Sequence, residues 1–253
     1  PGRALRGHRQ PGGGSHGGLG AFAASSGPAD IYGSMTQPEL PGSGGQSDPG
    51  GGAVYLDVGG GVTLAEGSTI CVDGRGSYRG AGAGGSIFIR AATLSGAGTL
   101  TARGGDGAGN VENSGGGGRI ALILTQAGAD FASFTNTATI MACSGIDRTG
   151  YEGGAGTIYL QTGDQTVAGE LGTVVLDNNN GFQREVYSTR FPADVDPTAF
   201  ASIVIRNDAI LEFRDPQIAF DYTNLHSRLT AEGINEATVR IDSDASGNIS
   251  YTG

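Results

Sequence analysis

The runs Gly85-Ser86-Ile87-Phe88-Ile89 and Gly118-Arg119-Ile120-Ala121-Leu122 lie 33 residues apart and share one pattern: small or glycine, then apolar, any residue, apolar. Gly52-Ala53-Val54-Tyr55-Leu56 precedes them by another 33, and Gly156-Thr157-Ile158-Tyr159-Leu160 follows by 38. Within each run the apolar positions alternate with period two, as on a half-buried strand whose successive side chains point to opposite faces. A helix is excluded, because the apolar spacing is not three or four and glycine interrupts every window.

A second series opens on threonine: Thr69-Ile70-Cys71-Val72, Thr99-Leu100-Thr101-Ala102, Thr139-Ile140-Met141-Ala142 and Thr173-Val174-Val175-Leu176, at intervals of 30, 40 and 34. The two series advance together. Self-similarity at 20–50 residues with strands inside each unit indicates a solenoid. The expected fold is therefore all-β, a parallel β-helix with coils of about 33 residues. Its inward columns are Val54, Ile87, Ile120 and Ile158, with Leu56, Ile89, Leu122 and Leu160 beside them, and Ile70, Leu100, Ile140 and Val174 on a second side. Glycine at the corners would supply positive φ at no steric cost. An ordinary β-sandwich is the competing architecture, but it does not explain recurrence in phase at about 33.

Three regions follow: a Gly-rich arm or cap over residues 1–50, regular coils over 51–182, and irregular coils or a cap over 183–253. Glycine marks the division, since 36 of the 49 fall in residues 1–120. Strand-like runs persist beyond 182, at Ile203-Val204-Ile205, Ala209–Phe213 and Thr238–Ile241.

Gly84–Ile89, Leu94–Ala102 and Gly115–Leu122, with the glycine stretch 12–18, resemble the glycine-rich β-helix repeat domains of large bacterial surface and secreted proteins. The resemblance covers roughly residues 12–180. It implies an extracellular, adhesin-like protein at the cell surface and carries no catalytic residue across.

Composition narrows the functions. All fifteen basic residues are Arg, and 25 carboxylates leave a net charge of −10. Nucleic acid, which needs a basic footprint, is not an expected partner. No run of 18–20 apolar residues is present to insert in a membrane. A polysaccharide lyase is the weaker alternative: Lys is absent, and His8, His16 and His226 stand outside the regular coils. Gly80–Gly85 fits GxGxxG by letter but is followed by a strand, so no helix N-terminus is available for a pyrophosphate. Gly104–Gly109 and Gly153–Ile158 approach the calcium nonapeptide but lack its final carboxylate and read as corner turns. Asp73, Asp106 and Asp177 offer incidental calcium binding at most. No cofactor and no metal is expected. Cys71 and Cys143 stand two coils apart and offset along the strand, beyond about 7 Å in this register, so a disulfide between them would contradict the alignment; the sequence alone does not decide whether they pair.

Outside the coil, Tyr55, Phe88, Ala121 and Tyr159 would form one column. Tyr55, Phe88 and Tyr159 are the expected contact face, for the arm, a partner subunit or a glycan, since an exposed aromatic patch marks a contact. Ordering the arm costs about 1–2 kcal/mol per residue, and docking across a neighbour would supply the contacts. The leading expectation is a non-catalytic structural protein, a subunit of a surface filament or adhesin stalk self-associating through its ends and its arm. A carbohydrate-binding adhesin is the alternative.

Overall fold

Val, Ile and Thr dominate the alternating runs, and side chains branched at Cβ favour the extended backbone. The computed structural model describes residues 12–22, 30–46, 48–76, 79–107, 113–135, 139–146, 151–179, 187–192, 194–214, 227–232, 238–243 and 247–252. The first pass of the chain forms β1 (Ala53–Asp57), β2 (Val62–Leu64) and β3 (Thr69–Cys71). The second repeats the sequence with β4 (Ser86–Ala91), β5 (Leu94–Gly96) and β6 (Thr99–Thr101). In the third, β7 (Arg119–Leu124) and β8 (Thr139–Met141) flank a short helix, α1 (Ala132–Thr135), that packs on β5.

Equivalent strands of successive passes pair in parallel. Val54, Ile87, Ile120 and Ile158 are register partners across β1, β4, β7 and β9 (Thr157–Gln161), as are Leu56, Ile89, Leu122 and Leu160. On β3, β6 and β8, Ile70 pairs with Leu100 and Leu100 with Ile140. Ile87, Ile89, Leu100, Ile120 and Leu122 are buried in one apolar cluster enclosed by these strands. The described chain is thus all-β, with parallel stacks and two short helices.

Val174 departs from the expected column. After β9 a nine-residue link reverses the chain through α2 (Gly163–Ala168), too short for the crossover that a parallel neighbour requires. Thr162 caps α2 in a box with Gln165, and Gly169, at φ 73°, ends it. The next strand, β10 (Leu171–Asp177), therefore runs antiparallel to β9 in the same sheet, with Val174 opposite Tyr159. Its side chain lies in the other core, on the far side of the sheet from Ile158.

Beyond it come β11 (Thr189–Phe191), a 3₁₀ turn (Pro197–Ala199), β12 (Phe200–Arg206), β13 (Ile210–Arg214), β14 (Leu229–Glu232), β15 (Thr238–Ser243) and β16 (Gly247–Thr252). The main sheet runs β1-β4-β7-β9-β10-β12-β14, and β11-β13-β15-β16 form another. Phe191, Phe200, Leu211 and Phe213 pack on the outer face of the main sheet with Phe88, Ala121, Tyr159, Val174 and Met35. The main sheet is consequently apolar on both sides.

Most of the glycines do not turn corners. The glycines at Gly104-Gly105, Gly153-Gly154 and Gly156 lack the positive φ that a corner would require, in contrast to Gly96 at φ 103°. They bring backbones together instead. The amides of Gly115, Gly116, Gly117 and Gly118 donate in turn to the carbonyls of Gly105, Gly14, Gly154 and Ala102 at 2.8–3.0 Å. The first and fourth point to the same neighbouring segment. Along Ala81–Gly85 the acceptors are Asn113, Arg75, Ser43, Gly116 and Val72, again repeating after three. This is the threefold extended backbone of the polyproline II type, here with every amide bonded outward to another segment. A Cβ on Gly14, Gly82, Gly116 or Gly118 would fall within 3 Å of a neighbouring backbone, so only glycine permits the spacing.

Candidate functional site

Two places have features that packing alone does not use. One is the open end of the stack. Strands β1, β2 and β3 are each the outermost member of their sheet and share the same end. Val54, Leu56, Val62 and Ile70 on them are only half-buried, whereas their register partners Ile87, Ile89, Leu94 and Leu100 are 0–4% exposed. An edge strand presents a row of unpaired amides and carbonyls, and this end adds apolar side chains to that row.

The aromatic column is not one exterior face. Tyr55 is 47% exposed, but Phe88 is 2% and Tyr159 0%. The alternation does turn them away from Ile87 and Ile158, yet a second core lies on that side. Met35 and the β11–β13 region cover Phe88 and Tyr159. Residues 32–43 cross the sheet as a strap: Ser86 Oγ donates to the Leu40 carbonyl at 2.6 Å, and Gln37 Nε2 to Tyr55 Oη at 3.3 Å. Tyr55 stacks on Phe88 with centroids 4.5 Å apart. The Tyr159 hydroxyl accepts from the Gly172 amide at 2.9 Å, and burial pushes its pKa up.

The second place lies under the strap. Arg119 opens β7 and is 1% exposed. Its Nε donates to the Tyr32 carbonyl and its Nη1 to Thr157 Oγ1, both at 3.0 Å. His16, fully buried, places Nδ1 2.8 Å from the Gly84 carbonyl and its ring 4.7 Å from that of Tyr32. Burial, then the Arg119 charge, lowers the His16 pKa to about 4. Burial lowers that of Arg119 to about 10 and raises that of Tyr32 to about 12. At neutral pH the cluster is a neutral imidazole, a phenol and a cationic guanidinium.

The sequence reading did not single out this cluster. A signal existed: Arg119 occupies the register held by Ala53, Ser86 and Thr157 in the other runs, where the residue is small and uncharged. His16 is far away in sequence and gave none.

The carboxylates set aside for calcium are engaged. Asp73 accepts from Thr101 Oγ1 and the Arg103 amide, Asp106 from the Ile146 amide, and Asp177 from Arg206 and Asn207. Among the described residues no group of three or more His, Cys, Asp or Glu is placed to hold a metal ion, and no helix is long and apolar enough to cross a membrane. Cys71 is exposed, Cys143 is buried, and both are free thiols. His8 and His226 lie outside the described residues. The contacts assigned to a neighbouring subunit are supplied to residues 12–20 by the chain itself: Gly14 bonds Ala81, Gly17 and Gly18 bond Gly117, and Leu19 bonds Ser188. Comparison with models of known protein families, with curated proteins and with solved structures gives no match to this chain.

Proposed function

We propose that the chain is a parallel β-helix, a solenoid of about 33 residues per coil, serving as a non-catalytic structural module of an extracellular filament or adhesin stalk. One observation carries this reading: three edge strands and a half-exposed apolar interior meet at one end of the stack. Each later pass buries that interior with the next pass, in register. Another coil is the partner whose spacing and alternation match, and it comes from a second copy. Contact between unlike ends is heterologous and propagates when it does not close.

The cluster around Arg119 supports the same reading by default. At 0–1% exposure His16 and Arg119 are out of reach of a polymeric substrate. The glycan-binding alternative loses its platform, since of Tyr55, Phe88 and Tyr159 only Tyr55 is exposed.

Electron microscopy and sedimentation of the purified chain over a wide concentration range test the proposal. Particles lengthening with concentration are expected. Leu56→Lys with Ile70→Lys should leave β-rich circular dichroism intact and abolish lengthening, because inward charge blunts an edge. A wild-type chain that stays monomeric at the highest concentration reached, or a double variant that still lengthens, would overturn the reading.

A further inference from the structure

A glycine stands immediately before β4, β7 and β9, and its missing side chain has one use. A Cβ on Gly85 would fall on the Gly52 carbonyl, one on Gly118 on that of Gly85, and one on Gly156 on that of Gly118. The amide after each glycine donates to the same carbonyl: Ser86 to Gly52 at 3.0 Å, Arg119 to Gly85 at 2.9 Å and Thr157 to Gly118 at 3.1 Å. The relation survives where the sheet turns antiparallel, since a Cβ on Gly172 would fall on the Leu160 carbonyl of β9. In each step the glycine admits the backbone of the preceding strand. Gly52 stands before β1 in the same register, and the Ala53 amide is directed away from β4. Yet among the described residues nothing lies within 4 Å of a Cβ at Gly52, and its φ is not positive. The described chain gives this position no need of glycine, whereas a strand placed outside β1 does.

The opposite end of the main sheet has the complementary deficit. Beyond β9 the chain alternates between two sheets, β10 then β11, β12 then β13, β14 then β15, with the second core between them. Strand β16 then folds back antiparallel beside β15 and has no counterpart in the main sheet. Its backbone therefore stands one strand further out than β14, on the side of the second core. On that side of β1, Tyr55 and Leu40 are 47% and 45% exposed, two of the three large apolar side chains left exposed among the described residues. One end lacks a strand beneath β16, and the other carries a strand whose outer face lacks a cover. The pairings fix the direction: β1, β4, β7 and β9 run one way, and β10, β12 and β14 the other.

We propose that β1 of one copy pairs antiparallel with β14 of a second copy, beneath its β16, and that Gly52 is the residue that admits this neighbour. The assignment rests on the end-to-end association proposed above and names the strands that meet. Tyr55, stacked on Phe88, and Leu229 both lie on the side of the second core, so matched faces set them opposite each other, an aromatic against an aliphatic side chain. Ala231 is then opposite Ala53. A slip of two residues would instead set Leu229 against Asp57, a carboxylate already paired with Arg90. In the β9–β10 step Leu160, opposite Thr173, lends its carbonyl to Gly172; Ala231, opposite Ala53, would lend its own to Gly52.

Cross-linking and sedimentation test this together. Opposite residues of an antiparallel pair have Cα atoms about 4.5–5.5 Å apart, within the span of a disulfide. In a Cys71→Ser background, which removes the exposed thiol, the double variant Ala53→Cys/Ala231→Cys should give a ladder of covalent multimers under mild oxidation. Neither single variant should cross-link alone, and a mixture of the two should stop at dimers. Gly52→Ala should unfold at or above the wild-type midpoint and need about tenfold more protein to lengthen, the loss of about one hydrogen bond at the junction. Particles that lengthen without a ladder overturn the strand assignment and leave end-to-end association standing. Dimers of Ala53→Cys alone, or unaltered lengthening of Gly52→Ala, overturn it as well. A wild-type chain that never lengthens overturns both readings.

Discussion

Gly118→Ala tests the threefold glycine packing directly. A Cβ at this position would press on the carbonyls of Gly85 and Ala102 and on the carbonyl carbon of Gly84, all backbone atoms that no rotamer change can move aside. Three hydrogen bonds converge there: Gly118 N to Ala102 O at 2.8 Å, Arg119 N to Gly85 O at 2.9 Å and Thr157 N to Gly118 O at 3.1 Å. Separating the segments weakens all three at about 1 kcal/mol each, and any buried amide left without a partner adds about 1–3 kcal/mol. The stiffer unfolded chain returns about 0.4–1 kcal/mol. A net loss of about 3 kcal/mol is expected. The control is Gly59→Ala, exposed, with nothing within 4 Å of its Cβ and no positive φ; it should gain up to about 1 kcal/mol. Urea unfolding reads both as midpoint shifts at constant slope. If Gly118→Ala unfolds at the wild-type midpoint, the close packing of backbones is refuted.

His16 is held neutral, with its pKa lowered to about 4. The unfolded chain therefore binds the extra proton first, so the stabilisation is complete above about pH 6.5 and declines as the pH falls toward 4. The decline should reach about 3 kcal/mol, read as the difference in unfolding free energy between the wild type and His16→Gln; equal acid sensitivity of the two would contradict it. Tyr159→Phe leaves the buried Gly172 amide without its acceptor and should cost about 1–3 kcal/mol; calorimetry showing an unchanged melting temperature would count against that bond. Native protein should consume one equivalent of a thiol reagent at Cys71 and a second, at Cys143, only on unfolding, because burial both shields Cys143 and pushes its thiol pKa up. Equal rates at the two sites would be the contrary result.

The strand register was readable in the sequence because period two and fixed spacing are local properties that pairing leaves intact. Ile87 shares a face with Ile89, and Ile120 with Leu122, while Phe88 and Ala121 between the members of each pair point to the other side. What covers the other face is not local. Phe88 and Tyr159 alternate as outward residues should, and residues remote in sequence, Met35, Phe191, Phe200, Leu211 and Phe213 among them, make that side a second core. Val174 fits the threonine series by letter, but the capped turn between Thr162 and Gly169 decides its sheet. The glycines were ambiguous for another reason. The same residue serves a positive φ, as at Gly96, and a close approach, as at Gly118, and the neighbours that distinguish the two are other segments.

The glycine packing also dictates an order of events during synthesis. Residues 12–20 leave the ribosome before their partners Ala81, Gly117 and finally Ser188. At about 5–20 residues per second, roughly ten to thirty seconds separate the emergence of Leu19 from that of Ser188. Within that interval Gly14 can find Ala81 and then Gly17 and Gly18 can find Gly117, but the Leu19 amide has no Ser188 carbonyl to meet. The bond from Leu19 closes only once Ser188 has been made, and a nascent protein halted before Ser188 should remain open to protease around residues 12–20.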